Sequence, residues 1–140
     1  MKPIAKVIPV ATMLAALLVT PLPAYSSTLQ VGVGLNPDPQ VLRGTSGGSK
    51  SSDCGFIATA PNEVIKVTQP IPYMRFSVQS AGQPTLLIEG PTGRFCVLAD
   101  GGGAGPQMSG FWAPGTYSVY IGDRAKGSNP YTLSLTQSSK

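Results

Sequence analysis

The chain has 140 residues, with ten basic and six acidic side chains, two cysteines and no histidine. That length suits one domain, and the missing histidine removes the Ser-His-Asp triad and leaves zinc with too few ligands. Lys2 and Lys6 belong to an N-terminal leader, and the other cations (Arg43, Lys50, Lys66, Arg75, Arg94, Arg124, Lys126, Lys140) stand singly, with no stripe to neutralise a run of phosphates, so a nucleic-acid partner is not expected.

In the leader, Lys2 and Lys6 flank the start of an apolar run over residues 7–19, followed by Pro21, Pro23 and the small-residue site Ala24-Tyr25-Ser26. That order is a secretory signal peptide. The run is about 13 residues, short of the roughly 20 that a spanning helix needs, and Pro9 and Pro21 disfavour a long helix. Residues 1–26 are therefore expected to be cleaved, residues 27–40 to form an extended N-terminal segment, and residues 41–140 to form the folded domain. The mature chain is expected to be secreted or periplasmic, with no transmembrane segment.

Glycine and proline contribute 17 and 14 residues, yet apolar residues cluster between them, which disordered chains do not show. Asn36-Pro37-Asp38-Pro39 is expected to be a turn or stiff linker, and residues 44–52 a flexible polar loop. Strand signals follow at residues 56–59, 63–68, 73–80, 85–89, 94–99, 116–122 and 131–137, several alternating apolar and polar with period two. Met74, Phe76 and Val78 share one face of theirs, opposite Arg75, Ser77 and Gln79. Residues 85–89 are apolar enough to be central. No stretch keeps a helical period. The fold class is therefore all-β, an antiparallel β-sandwich or jelly roll of about eight short strands.

Cys54 and Cys96 are expected to form a disulfide, given an even count in an exported chain. It would close a loop worth roughly 4 kcal/mol on chain entropy.

Chemistry is weakly signalled. Gly44-Thr45-Ser46-Gly47-Gly48 has the look of a serine-protease nucleophile segment, but no histidine can activate its serine. A glycosidase-like reading would use Glu89, Asp100 or Asp123. Calcium is the more plausible metal, with Asp100 and the carbonyls of residues 101–105 as a weak candidate; the expectation is a solvated glycine turn without metal or other cofactor. Phe111 and Trp112, beside Ala113-Pro114-Gly115, and Tyr120, out of phase with Tyr117 and Val119, form the candidate contact patch.

Pro84-Thr85-Leu86-Leu87-Ile88-Glu89-Gly90-Pro91-Thr92-Gly93, then Ala113-Pro114-Gly115-Thr116-Tyr117-Ser118-Val119-Tyr120-Ile121-Gly122, then Pro130-Tyr131-Thr132-Leu133-Ser134-Leu135 resemble, in order, the bacterial pre-peptidase C-terminal domain. The likeness spans about residues 73–137, and the G-T-S-G-G…C-G opening is similar to that of stand-alone cyanobacterial secreted proteins. It implies a β-sandwich accessory without catalysis, serving secretion, stability or attachment. The acidic residues that the family carries where Thr85-Leu86-Leu87-Ile88 stands are missing here. The expected function is thus a secreted, non-catalytic module with a binding, scaffolding or secretion-accessory role, its partner a protein or polysaccharide outside the cytoplasm. The alternatives are a small hydrolase using carboxylates and a protease inhibitor or partner acting through residues 43–50.

Overall fold

The computed structural model describes residues 3, 9–19, 27–99 and 103–140. Lys2, Lys6, the expected cleavage site Ala24-Tyr25-Ser26 and Asp100 lie outside the described residues. Residues 9–19 have no regular structure, and Met13 is 96 % exposed. No helix among the described residues is long and apolar enough to cross a membrane.

Eleven strands are described: β1 (Ser27–Val31), β2 (Gln40–Thr45), β3 (Lys50–Ser52), β4 (Gly55–Ile57), β5 (Glu63–Val67), β6 (Ile71–Ser80), β7 (Pro84–Gly90), β8 (Gly93–Leu98), β9 (Gln107–Trp112), β10 (Gly115–Asp123) and β11 (Pro130–Thr136). They form an all-β sandwich. One sheet has the order β2-β11-β6-β9. The other is organised by β10, whose residues 115–119 pair with β5 while residues 118–123 pair with β7 on the opposite edge. β8 extends it beyond β7, β1 extends it beyond β5, and β4 meets β10 at Asp123 and carries β3.

Alternation decides which side chains go inward. Met74, Phe76 and Val78 of β6, Leu133 and Leu135 of β11, Ile65 and Val67 of β5, and Tyr117, Val119 and Ile121 of β10 all enter one core. Trp112 stacks on Phe76 with ring centroids 4.4 Å apart and meets Tyr117 edge-on at 5.1 Å. Its Nε1 donates to the Met74 carbonyl at 2.9 Å, so the indole is buried without an orphaned donor.

Three segments take a more definite form than expected from the sequence pattern. Residues 27–31, within the expected extended N-terminal segment, form β1, which pairs parallel to β5 and places Val31 in the core. The polar loop expected over residues 44–52 is instead a crossing between the sheets, with Ser46 and Gly47 buried. Ser46 N donates to Asn129 O at 2.8 Å, Gly47 N to Ile121 O at 2.9 Å and Asn129 N to Ser46 Oγ at 3.2 Å, and the segment then continues into β3. Within residues 43–50, Ser46 and Gly47 are buried while Arg43, Thr45, Ser49 and Lys50 are exposed. Finally, β9 raises Phe111-Trp112 from a turn margin to a strand in which consecutive side chains take opposite faces.

Candidate functional site

The expected aromatic patch is divided by that strand geometry. Phe111 is 65 % exposed on the outer face of the four-stranded sheet, whereas Trp112 is 3 % exposed within the core. Tyr120 points out of the other sheet, half-buried against Leu87, Cys54 and Ile57. The three residues thus lie on one outer face, in the interior and on the opposite outer face, and they form no common surface.

The candidate carboxylates do not converge either. Asp123 is buried, and its carboxylate accepts from Gln83 N at 3.1 Å, Ala125 N at 2.9 Å and Asn129 Nδ2 at 3.2 Å, which makes it the organiser of two turns. Glu89 stands opposite Ser118 on β10, five positions from Asp123. That separation is roughly 17 Å along a strand, beyond the roughly 5–9.5 Å at which two carboxylates flank a glycosidic bond. Among the described residues, no group of three or more Cys, Asp or Glu is placed to hold a metal ion.

The Cys54–Cys96 disulfide is formed, with Cα atoms 5.7 Å apart. It ties the tip of the β3–β4 hairpin to β8 across the outer face of β7. Thr85 Oγ1 donates to Cys54 O at 2.6 Å beneath this clasp, and Leu87 is buried by it. Beside the bridge Arg94 forks onto Asp53, with Nη1 to Oδ2 at 3.0 Å and Nη2 to Oδ1 at 2.5 Å, and its Nε lies 3.6 Å from Glu89. The hydrogen-bonded guanidinium holds the Asp53 carboxyl below its ordinary range. Tyr120 is pushed up by burial and by the charge of Glu89. Around the bridge the charges are of both signs and paired with one another, while Lys50 and Lys66 stand exposed elsewhere on the same sheet.

The outer face of the four-stranded sheet differs in kind. In its central ladder, Val41, Ser134, Ser77 and Gln107 stand across from one another. Arg43, Thr132 and Gln79 make the ladder on one side. Thr136, Arg75 and Ser109 make the ladder on the other. Register slips between Ile71 and Met74, so that Pro72 and Tyr73 oppose Phe111. Pro72 has no N–H to offer a ladder and suits this bulge. The bulge brings Tyr73 onto the same margin as Phe111, and Arg75 Nη1 donates to Tyr73 Oη at 3.4 Å. The result is a field of hydroxyl, amide and guanidinium groups around Val41, with two aromatic rings at one corner. Tyr73 is the site residue that sequence reasoning missed. The wet face of β6 was visible as Arg75, Ser77 and Gln79, and Tyr73 continues that phase.

No known family model matches the chain. It is 46 % identical over 99 residues to an uncharacterized protein of Synechococcus elongatus, covering 68 % of this chain and 73 % of that one. Among solved structures, the pre-peptidase C-terminal domain of collagenase from Bacillus anthracis superposes with a TM-score of 0.53 at 15 % identity, covering 81 % of this chain and 98 % of that one. A more distant likeness is to PliG of Aeromonas hydrophila, a periplasmic inhibitor of g-type lysozyme, with a TM-score of 0.41 at 16 % identity, covering 80 % of this chain and 98 % of that one. The pre-peptidase C-terminal sandwich implied by the Gly90-Pro91-Thr92-Gly93 and Pro114-Gly115-Thr116-Tyr117 segments is the fold observed.

Proposed function

The chain belongs to the same family as the Synechococcus elongatus protein, and from that premise we propose that it is an exported, non-catalytic module that binds polysaccharide on the outer face of its four-stranded sheet. The observation that carries this reading is the composition of that face. Its ladders present Ser77, Ser109, Ser134 and Thr132 hydroxyls with Gln79 and Gln107 amides on a hydrogen-bonded sheet. Such groups both donate and accept, as sugar hydroxyls require, while Tyr73 and Phe111 supply ring faces for the apolar side of a sugar. A protein partner would favour an apolar centre, and the large apolar side chains exposed on these strands are Val41 and Phe111.

Export is supported by the leader composition and by the disulfide, since such bridges persist in oxidising compartments. A non-catalytic role is supported by the separation of Glu89 from Asp123 and by the internal hydrogen bonds that occupy Asp123.

Affinity electrophoresis tests the binding reading. Migration through gels cast with neutral and acidic polysaccharides is expected to be retarded in at least one gel, and less so for Tyr73→Ala/Phe111→Ser. Identical mobility of both proteins in every gel, matching a polysaccharide-free gel, would reject it. Export is tested separately by cell fractionation: the protein is expected outside the cytoplasm with its N-terminus near Ser27, and recovery only from the cytoplasm with Met1 intact would count against it.

A further inference from the structure

Resting on the polysaccharide-binding reading above, we infer that the sheet face selects an anionic polysaccharide, carboxylated or sulfated, through Arg43 and Arg75. The two guanidinium groups stand in the ladders that flank the central one, at opposite ends of the diagonal across β11. Strand geometry puts their Cα atoms roughly 16 Å apart. Among the described residues, neither makes an ion pair; the ion pairs found are those of Arg94 with Asp53 and Glu89, on the other sheet. Asp38 is the carboxylate at the margin of the face, and it is occupied by Thr136 Oγ1 at 2.5 Å and Gln137 N at 3.1 Å. Arg124 and Lys126 are exposed on the loop that enters β11 at the Arg43 end. Lys50 and Lys66 are exposed on the other sheet as well, but Arg43 and Arg75 are the two cations that share an outer face with the hydroxyl and amide ladders.

Charge complementarity fixes the class of occupant. A guanidinium fork matches the planar oxygens of a carboxylate and the oxygens of a sulfate, and it remains charged at any working pH. Arg75 is steadied by its contact with Tyr73 Oη, so less freedom is lost when it grips an anion. Two cations this far apart do not follow a nucleic-acid backbone, which carries a charge about every 1.7 Å of duplex. They suit a chain with sparse anionic groups and hydroxyls between them, which the Thr132, Ser134 and Ser77 side chains between the two arginines can meet.

The experiment compares gel retardation by polygalacturonate, dextran sulfate and unmodified dextran, with poly-glutamate as the polypeptide anion. Retardation by polygalacturonate or dextran sulfate is expected to exceed that by dextran and to weaken as salt rises, because exposed charge contacts are screened over about 10 Å at 0.1 M. Arg43→Gln/Arg75→Gln is expected to lower affinity for the anionic chain about tenfold, as loss of charge-assisted hydrogen bonds would. Lys66→Gln removes the same charge type from the other sheet and is expected to change nothing; thermal melts check that both proteins stay folded. Whichever anionic chain is retarded identifies carboxylate or sulfate as the recognised group. Salt-insensitive binding of dextran equal to that of the anionic chains, unchanged in the arginine double variant, would overturn the inference and leave polysaccharide binding standing. Poly-glutamate binding as tightly as polygalacturonate, or an equal loss in Lys66→Gln, would overturn it in favour of unselective charge attraction. No retardation by any polysaccharide would overturn both readings.

Discussion

Tyr131 of β11 donates its phenol hydrogen to Glu63 Oε1 of β5 at 3.1 Å, a buried polar contact that joins the two sheets. Burial first, then the charge of Glu63 and the hydrogen bond, push the Tyr131 phenol well above the ordinary tyrosine range. A tyrosine whose folded pKa lies above its unfolded value contributes stability that is complete below about pH 10 and declines as pH rises beyond it. Thermal melts of the native protein are thus expected to fall on the alkaline side of pH 10. Tyr131→Phe is expected to cost about 1 kcal/mol near neutral pH by taking a partner from a buried carboxylate, and to flatten the alkaline limb. An unchanged alkaline limb in the variant would contradict this assignment.

The disulfide acts on one local element as well as on global stability. Its sequence separation of 42 residues corresponds to roughly 4 kcal/mol of chain entropy in the unfolded state, as an upper figure. Cys54→Ser/Cys96→Ser is expected to lower the denaturant midpoint by a large part of that. Because Leu87 is covered by Cys54, Ile57 and Tyr120, amide exchange should quicken first in the β3–β4 hairpin and in β8. Uniform exchange across both sheets in the reduced protein would argue against a local clasp.

That clasp also explains what could and could not be read from the chain. β6, β10 and β11 were legible because their inward residues alternate with polar ones. β7 reads as a continuous apolar run because both its faces are covered, Leu86 and Ile88 by the main core and Leu87 by the clasp. β2 escaped notice because its inward positions are Gln40, Leu42 and Gly44, of which one is a large apolar residue. β9 was hidden by Phe111, an aromatic on the wet face beside an inward Trp112, which breaks the period. β1 and the Ser46-Gly47 crossing depend on pairing with distant segments, which no local pattern encodes. The candidate face was half visible in β6 alone. Arg43 and Arg75 look scattered in sequence and share a surface only because β11 lies between their strands.

Gly122 lets the hairpin lie on β10. A Cβ there would collide with Thr85 Oγ1 and stand 2.9 Å from Ile57 Cγ2 and 3.0 Å from Cys54 O. Gly122→Ala is therefore expected to destabilise by about 1–3 kcal/mol through overpacking, measured by urea unfolding. A variant as stable as the native protein would mean that the hairpin packs more loosely than described.

The Arg94–Asp53 fork sets an acid limit of its own. Asp53 has its folded pKa depressed by Arg94, so its contribution is present above the unfolded value of about 4 and is lost as pH falls through the folded one. Both partners are exposed, which keeps the effect modest and salt-sensitive. Asp53→Asn is expected to melt below the native protein at neutral pH in low salt, with the gap closing in acid and in high salt. A gap that persists in acid would point to a packing change rather than a lost charge.

Phe111 and Trp112 separate binding from folding, although they are neighbours in sequence. Trp112 fills the core against Phe76 and Tyr117 and donates to Met74 O. Trp112→Ala is expected to cost about 3–5 kcal/mol, through lost burial and the cavity left behind. Any loss of binding in that variant would then follow from loss of the fold. Phe111 projects from the wet face of β9, so Phe111→Ser should stay within about 0.5 kcal/mol of native stability while weakening polysaccharide retardation. Paired melts and gels on the two variants make the distinction. A stable Trp112→Ala protein, or a Phe111→Ser protein that unfolds early, would reverse the assignment of inner and outer faces on β9 and with it the surface proposed for binding.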